Sequence, residues 1–262
     1  MIENIASYRK WNVKGLILCH IIIAFLLATY IFARPVWHLL DTHFFQAINS
    51  TLEGHKWWQI FWACANHRIA DWVEDVFIIG FFAVYISQAP KYFKSRRVAE
   101  FLFCILLTAL IIFFVNQTLF RENLKISNQS PTLIVENCVR LSHEVPWMKV
   151  KDMAARSFPG DHGTTALLFA GSILFFARRK LAIVACFYAA FLCTPRLITG
   201  AHWLSDVLVG SGSIALFFLS WAFFSPIHSI CIPKIESFLK RANYARGLMG
   251  ILRKLLFWRP VR

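Results

Sequence analysis

Stretches without a single Lys, Arg, Asp or Glu dominate this chain. They run from Gly15 to Ala33, Val76 to Pro90, Phe101 to Phe120, Gly163 to Ala177, Leu181 to Pro195 and Val207 to Pro233. A helix needs about 20 apolar residues to cross a hydrocarbon core roughly 30 Å thick. The first and third runs reach that length unaided; the fifteen-residue runs reach it when Trp72, Asp161 or Arg196 at their ends sits at the interface. The runs are continuously apolar, without the alternation of barrel strands. The pattern therefore predicts an all-α, polytopic membrane protein with a six-transmembrane-helix bundle over residues 1–225. Arg34-Pro35 follows the first run in place of a small-x-small cleavage site, so that run is expected to be retained.

Charge assigns the sides. The chain carries 28 Lys+Arg against 14 Asp+Glu, a net +14, yet is 58% hydrophobic with a mean hydropathy of +0.54. Only 16% of residues are charged, below the roughly 25% of soluble domains, so no nucleic acid is expected as a partner. Basic residues gather before the first run (Arg9, Lys10, Lys14), between the second and third (Lys91, Lys94, Arg96, Arg97), between the fourth and fifth (Arg178, Arg179, Lys180) and after the sixth. Alternate connections collect them, which marks one side as cytoplasmic, with both termini there. The other side carries loops 34–75, 120–162 and 195–206, and in a bacterial inner membrane it faces the periplasm. Sorted this way, the cytoplasmic side holds 18 of the Lys+Arg and three of the Asp+Glu, a net +15, and the outer side a net −1. Residues 226–262 alternate basic and apolar positions, including Leu248, Ile251, Leu252, Leu255, Leu256, Phe257 and Trp258. That segment is expected to be an amphipathic helix on the anionic inner leaflet. Cys64 and Cys138 lie in the longer polar connections, where a disulfide between them stays open.

Two polar clusters fall on the outer side. Ser157-Phe158-Pro159-Gly160-Asp161-His162-Gly163 precedes the fourth run, and Arg196 through His202 to Asp206 leads into the sixth. Pro159-Gly160 makes a turn into a helix whose first amides lack internal partners and favour an anion. His162 stands beside that anion as a proton donor. His202 and Asp206 are four apart, on one face if helical, and a carboxylate beside an imidazole fixes its tautomer and raises the basicity of its far nitrogen. Arg196 offers a planar fork of donors for phosphate oxygens. Together the groups fit phosphoryl transfer through a phosphohistidine.

Arg196-x5-His202-x3-Asp206 resembles the third signature of the type 2 phosphatidic acid phosphatase superfamily, and Pro159-Gly160-Asp161-His162 its second, over about residues 15–225. The family usually has Pro-Ser-Gly-His there, so Gly160 replaces a serine and Asp161 a glycine. The added carboxylate repels phosphate unless it faces away or caps the helix. The first signature, Lys-x6-Arg-Pro, is absent: Pro131 remains, with Ser130 and Asn123 in place of the Arg and Lys. Arg121, Lys125, Lys151 and Arg156 are the nearby cations, and Arg121, Lys125, Arg156 and Gly160 are the expected phosphate contacts. The resemblance implies His202 as nucleophile, Asp206 orienting it, His162 protonating the leaving group and Arg196 holding the equatorial oxygens, with no metal and no cofactor. The altered signatures are similar to those of a bacterial branch of lipid A 1-diphosphate synthase-like enzymes. A lipid phosphatase is implied, acting on undecaprenyl diphosphate, lipid A or a phosphatidyl-type lipid; transfer from undecaprenyl diphosphate to lipid A is the alternative. Two competing readings remain: a metal held by Asp71, Glu74 and Asp75, spaced i, i+3, i+4, and a transporter lined by Asp75, His162 and Asp206.

Overall fold

In a computed structural model, the chain is described over residues 11–125 and 128–256, with side chains as far as Ala242. Helices follow one another: α1 Val13–Phe32, α2 Arg34–Asn49, α3 Lys56–Ala65, α4 Arg68–Ser87, α5 Lys94–Leu110, α6 Asp161–Phe176, α7 Arg179–Ile198, α8 Gly212–Phe224 and α9 Ile227–Leu256. α5 continues as a π-helix over Ile111–Leu124, and α8 is preceded by another over Asp206–Ser211. No strand occurs among the described residues. This is an all-α membrane protein. Four helical stretches are long and apolar enough to cross a bilayer: Val13–Phe32, Lys91–Leu124, Arg179–Ile198 and Asp206–Phe224. Of the other two expected spans, α4 has charged residues in its first turns and α6 is 16 residues long.

Apolar residues face both inward and outward, as they should where the solvent is lipid. α1 buries none of its residues, and Phe25 and Ile31 are exposed. The core lies between α4, α5, α6, α7 and α8, where Phe82, Phe103, Phe169, Ile173, Leu192 and Phe223 pack. α6 and α7 form a tight hairpin, α8 crosses α6 and α1, and α9 lies along α5. Small residues set the closest approach. A Cβ added at Gly163 would come 2.9 Å from Ser211 Oγ, and one at Gly171 would collide with Leu219 Cδ1. These crossings press the N-terminus of α6 against the segment that leads into α8.

Three sequence expectations change. Loop 34–75 is largely helical: α2 buries Asp41, Phe45 and Asn49 on one side, an amphipathic pattern that a search for charge-free runs passes over. Run 207–233 is two helices. Pro226 has no N–H and disfavours helical geometry in the residue before it, so Ser225 is extended and its Oγ accepts from the Ile227 amide at 3.2 Å. Cys64 and Cys138 are both free thiols. The tail side chains from Leu248 to Trp258, like Arg9 and Lys10, lie outside the described residues.

Candidate active site

α7 ends in a reversal that carries two of the candidate groups. Gly200 adopts φ +73, where a Cβ would clash with Thr132 and Phe45, and the amides of Ala201 and His202 both donate to the Arg196 carbonyl, at 3.0 and 3.2 Å. This left-handed glycine cap folds His202 back beside the last turn. His202 thus lies in a turn, not on a helix, which corrects the expected route to its pairing with Asp206. The next segment starts at Trp203, whose amide donates to Asp206 Oδ2 at 2.9 Å. That is the backward half of a capping box, with the acidic side chain satisfying the first free amide. Asn128 Nδ2 donates to Asp206 Oδ1 at 2.8 Å. His202 Nδ1 stands 3.6 Å from Asp206 Oδ2, buried and without another partner. Closing that gap assigns the proton to Nδ1 and leaves the lone pair on Nε2.

Gly160 precedes α6, and a Cβ built on it would lie 3.5 Å from His202 Cε1. The free amides at the start of α6 are therefore beside the His202 ring. The Gly160 carbonyl is held by Ser211 Oγ at 2.8 Å and by the Thr164 amide and hydroxyl at 2.9 and 3.0 Å. Two residues along, His162 meets Arg196. The buried guanidinium donates from Nη1 to the Asn66 carbonyl at 3.0 Å, and from Nη2 to Asp71 Oδ1 at 2.8 Å and His162 Nε2 at 3.0 Å. Accepting at Nε2 puts the His162 proton on Nδ1, 4.0 Å from the Asp71 carboxylate.

Asp161 faces away from His202. Its carboxylate accepts from Asn116 Nδ2 at 3.0 Å and Gln117 Nε2 at 2.9 Å, and pairs with Arg121 Nη2 at 2.7 Å. Arg121 thereby pairs with Asp161, and Arg156 donates to the Arg121 carbonyl at 3.0 Å, so both arginines brace this corner. Lys125 caps the π-helix with φ 48 and is exposed. Lys151 is tied to the site through its backbone: its carbonyl accepts from Asn66 Nδ2 at 3.0 Å, the residue whose own carbonyl holds Arg196, and its side chain is exposed.

The acidic constellation also differs from its linear spacing. Asp71, Glu74 and His162 bring ligand-type atoms within 4.8 Å of one another, without Asp75. They border a cavity of about 150 Å³. Arg196 already supplies positive charge between Asp71 and His162.

Sequence reading missed the supporting partners. Asp41 accepts from the Ser205 amide at 2.8 Å and from its hydroxyl at 2.5 Å, fixing the turn between His202 and Asp206. Asn66, Asn128 and Ser211 act similarly, and no linear signal joins groups so far apart along the chain.

The model of the PAP2 superfamily matches residues 97–228, half of the chain, including all of α6, α7 and α8. The chain belongs to the PAP2 superfamily. It is 27% identical over 247 residues to lipid A 1-diphosphate synthase of Escherichia coli (strain K12), covering 93% of this chain and 98% of that protein. Lipid A 1-phosphatases of Rhizobium etli and Rhizobium johnstonii are each 43% identical over 58 residues, 22% of this chain and 24% and 23% of theirs. No solved structure matches. This membership makes the chain a phosphoryl-transfer enzyme of the lipid phosphatase class.

Proposed function

We propose that the protein transfers a phosphoryl group from a lipid phosphate or diphosphate through a phosphohistidine on His202, at the outer face of a bacterial inner membrane. The observation that carries this reading is the convergence of Asp206, His202 and the free α6 amides at one point, with Arg196 paired to His162 two residues past Gly160. In the first step the His202 Nε2 lone pair forms a bond to phosphorus as the bond from phosphorus to the leaving lipid oxygen breaks. Asp206 stabilises the developing imidazolium. The α6 amides and Arg196 stabilise charge on the equatorial oxygens. His162 supplies the proton to the departing oxygen; a bound phosphate adds negative charge beside its ring, which favours the protonated imidazolium. Lys151 reaches the same oxygens and stands in for the missing first signature, while the backbone at Gly160 leads the phosphate onto the free α6 amides. A second acceptor then attacks the phosphohistidine and restores His202.

Lipid A as that acceptor, with undecaprenyl diphosphate as donor, is favoured by the near full-length match to a lipid A 1-diphosphate synthase; the matches to lipid A 1-phosphatases cover 58 residues. Incubation of the purified protein with undecaprenyl diphosphate labelled at the terminal phosphate, with and without lipid A, tests both steps. Labelled lipid A is the expected product, free phosphate alone supports the hydrolase, and neither product overturns the enzyme reading. An acid-labile label on the protein, absent from His202→Ala, reports the intermediate.

A further inference from the structure

The end of α6 opposite His162 borders a groove of about 1150 Å³ between the start of α5 and the first turns of α9. Its surface is of two kinds. Phe93, Phe175 and Phe238 supply apolar wall, and Phe93 and Phe238 are exposed. Arg96, Arg97, Lys234, Lys240 and Arg241 line the same space with only two carboxylates, Glu100 and Glu236.

Both carboxylates are taken. Glu100 accepts from Tyr85 Oη at 2.6 Å and lies 3.3 Å from Arg96 Nε and 3.8 Å from Arg97 Nη1. Glu236 lies 2.6 Å from Lys240 Nζ. Arg97 is further fixed, stacked 4.1 Å over the Tyr85 ring and donating to the Phe176 carbonyl at 3.2 Å. Lys234 and Arg241 make no ion pair among the described residues. The groove thus has a positive excess at its rim and aromatic surface beside it.

We propose that this groove binds the headgroup and upper chains of an anionic phospholipid from the leaflet opposite the active site. The cations match a phosphodiester, and the aromatic wall matches the methylenes below it. The volume suits a headgroup, its glycerol and the first part of the chains. The chain's own residues 243–262 suit the groove less well, because they include five Lys+Arg and no Asp or Glu, and like charge repels them.

The test uses the full-length protein, delipidated in detergent, with phosphatidylglycerol or phosphatidylcholine of identical chains; bound lipid is counted by native mass spectrometry. Phosphatidylglycerol is expected to be retained and phosphatidylcholine not. Each cation near an anionic lipid is worth about fivefold in affinity, so Lys234→Ala combined with Arg241→Ala lowers phosphatidylglycerol affinity about 25-fold. Lys234→Arg with Arg241→Lys keeps it. Equal retention of the two lipids overturns the proposal, as does undiminished phosphatidylglycerol binding in the double alanine variant. Binding that arises only after truncation beyond Ala242 overturns it too, and gives the groove to the chain's own tail. Phosphoryl transfer in detergent checks the fold of the double variant; if that variant does not fold, the two-lipid comparison on the unaltered chain decides.

Discussion

Asp71 and Asp161 are two carboxylates beside the proposed phosphate site, and each is neutralised by its own arginine. Asp71 holds Arg196 at 2.8 Å, and Asp161 holds Arg121 at 2.7 Å. Asp71→Ala removes the anchor that aims Arg196. It is expected to lower kcat by about 10–100-fold, as misplaced catalytic groups do, with a smaller change in KM, read from steady-state kinetics on the lipid substrate. Gly160→Ser is expected to retain activity: its φ is −81 and an added Cβ meets only ordinary contacts near His202.

At the scale of elements, the apolar runs were legible because a span must be continuously greasy, and that constraint is written in consecutive residues. α2 and α3 were not, because their burial is one-sided and mixed with Asp41, Asn49 and Gln59. The break at Ser225-Pro226 was legible in principle, since a proline disfavours helix in the residue before it, but the uncharged residues on both sides masked it. At the site, the residues within short motifs could be read from spacing, although His202 reaches Asp206 by a turn and not along a helix. Arg121 could not, because only the folded chain shows Asp161 taking its guanidinium. Asp41 ties α2 to the segment before α8. Asp41→Ala leaves the Ser205 amide without its acceptor and is expected to cost about 1–2 kcal/mol, the range for a lost helix cap, seen as an earlier thermal transition in detergent. Gly171→Leu, by contrast, drives a side chain into Leu219 across the α6–α8 crossing and is expected to abolish folded protein, as judged by size-exclusion chromatography.

The molecule as a whole is organised by its two ends. We propose that α1, α4, α5, α6, α7 and α8 cross the bilayer, with both termini on the basic side. Cysteine substitutions at exposed Trp57 and Lys125 should be labelled by an impermeant reagent from the periplasm, and one at Arg179 only after the membrane is opened. Labelling of all three from one side contradicts that topology.

α6 is also short. Its 16 residues rise about 1.5 Å each, or about 24 Å in all, less than the roughly 30 Å of hydrocarbon it has to match. In the proposed span, with Phe176 at one boundary, His162 would lie several ångströms below the other. A phosphate tethered to lipid chains is already held near that depth, whereas a soluble phosphate ester must shed bulk water to descend to it. On that proposed topology the brevity of one helix would act as a filter, favouring substrates that enter sideways from the plane of the membrane over those arriving from the aqueous space above.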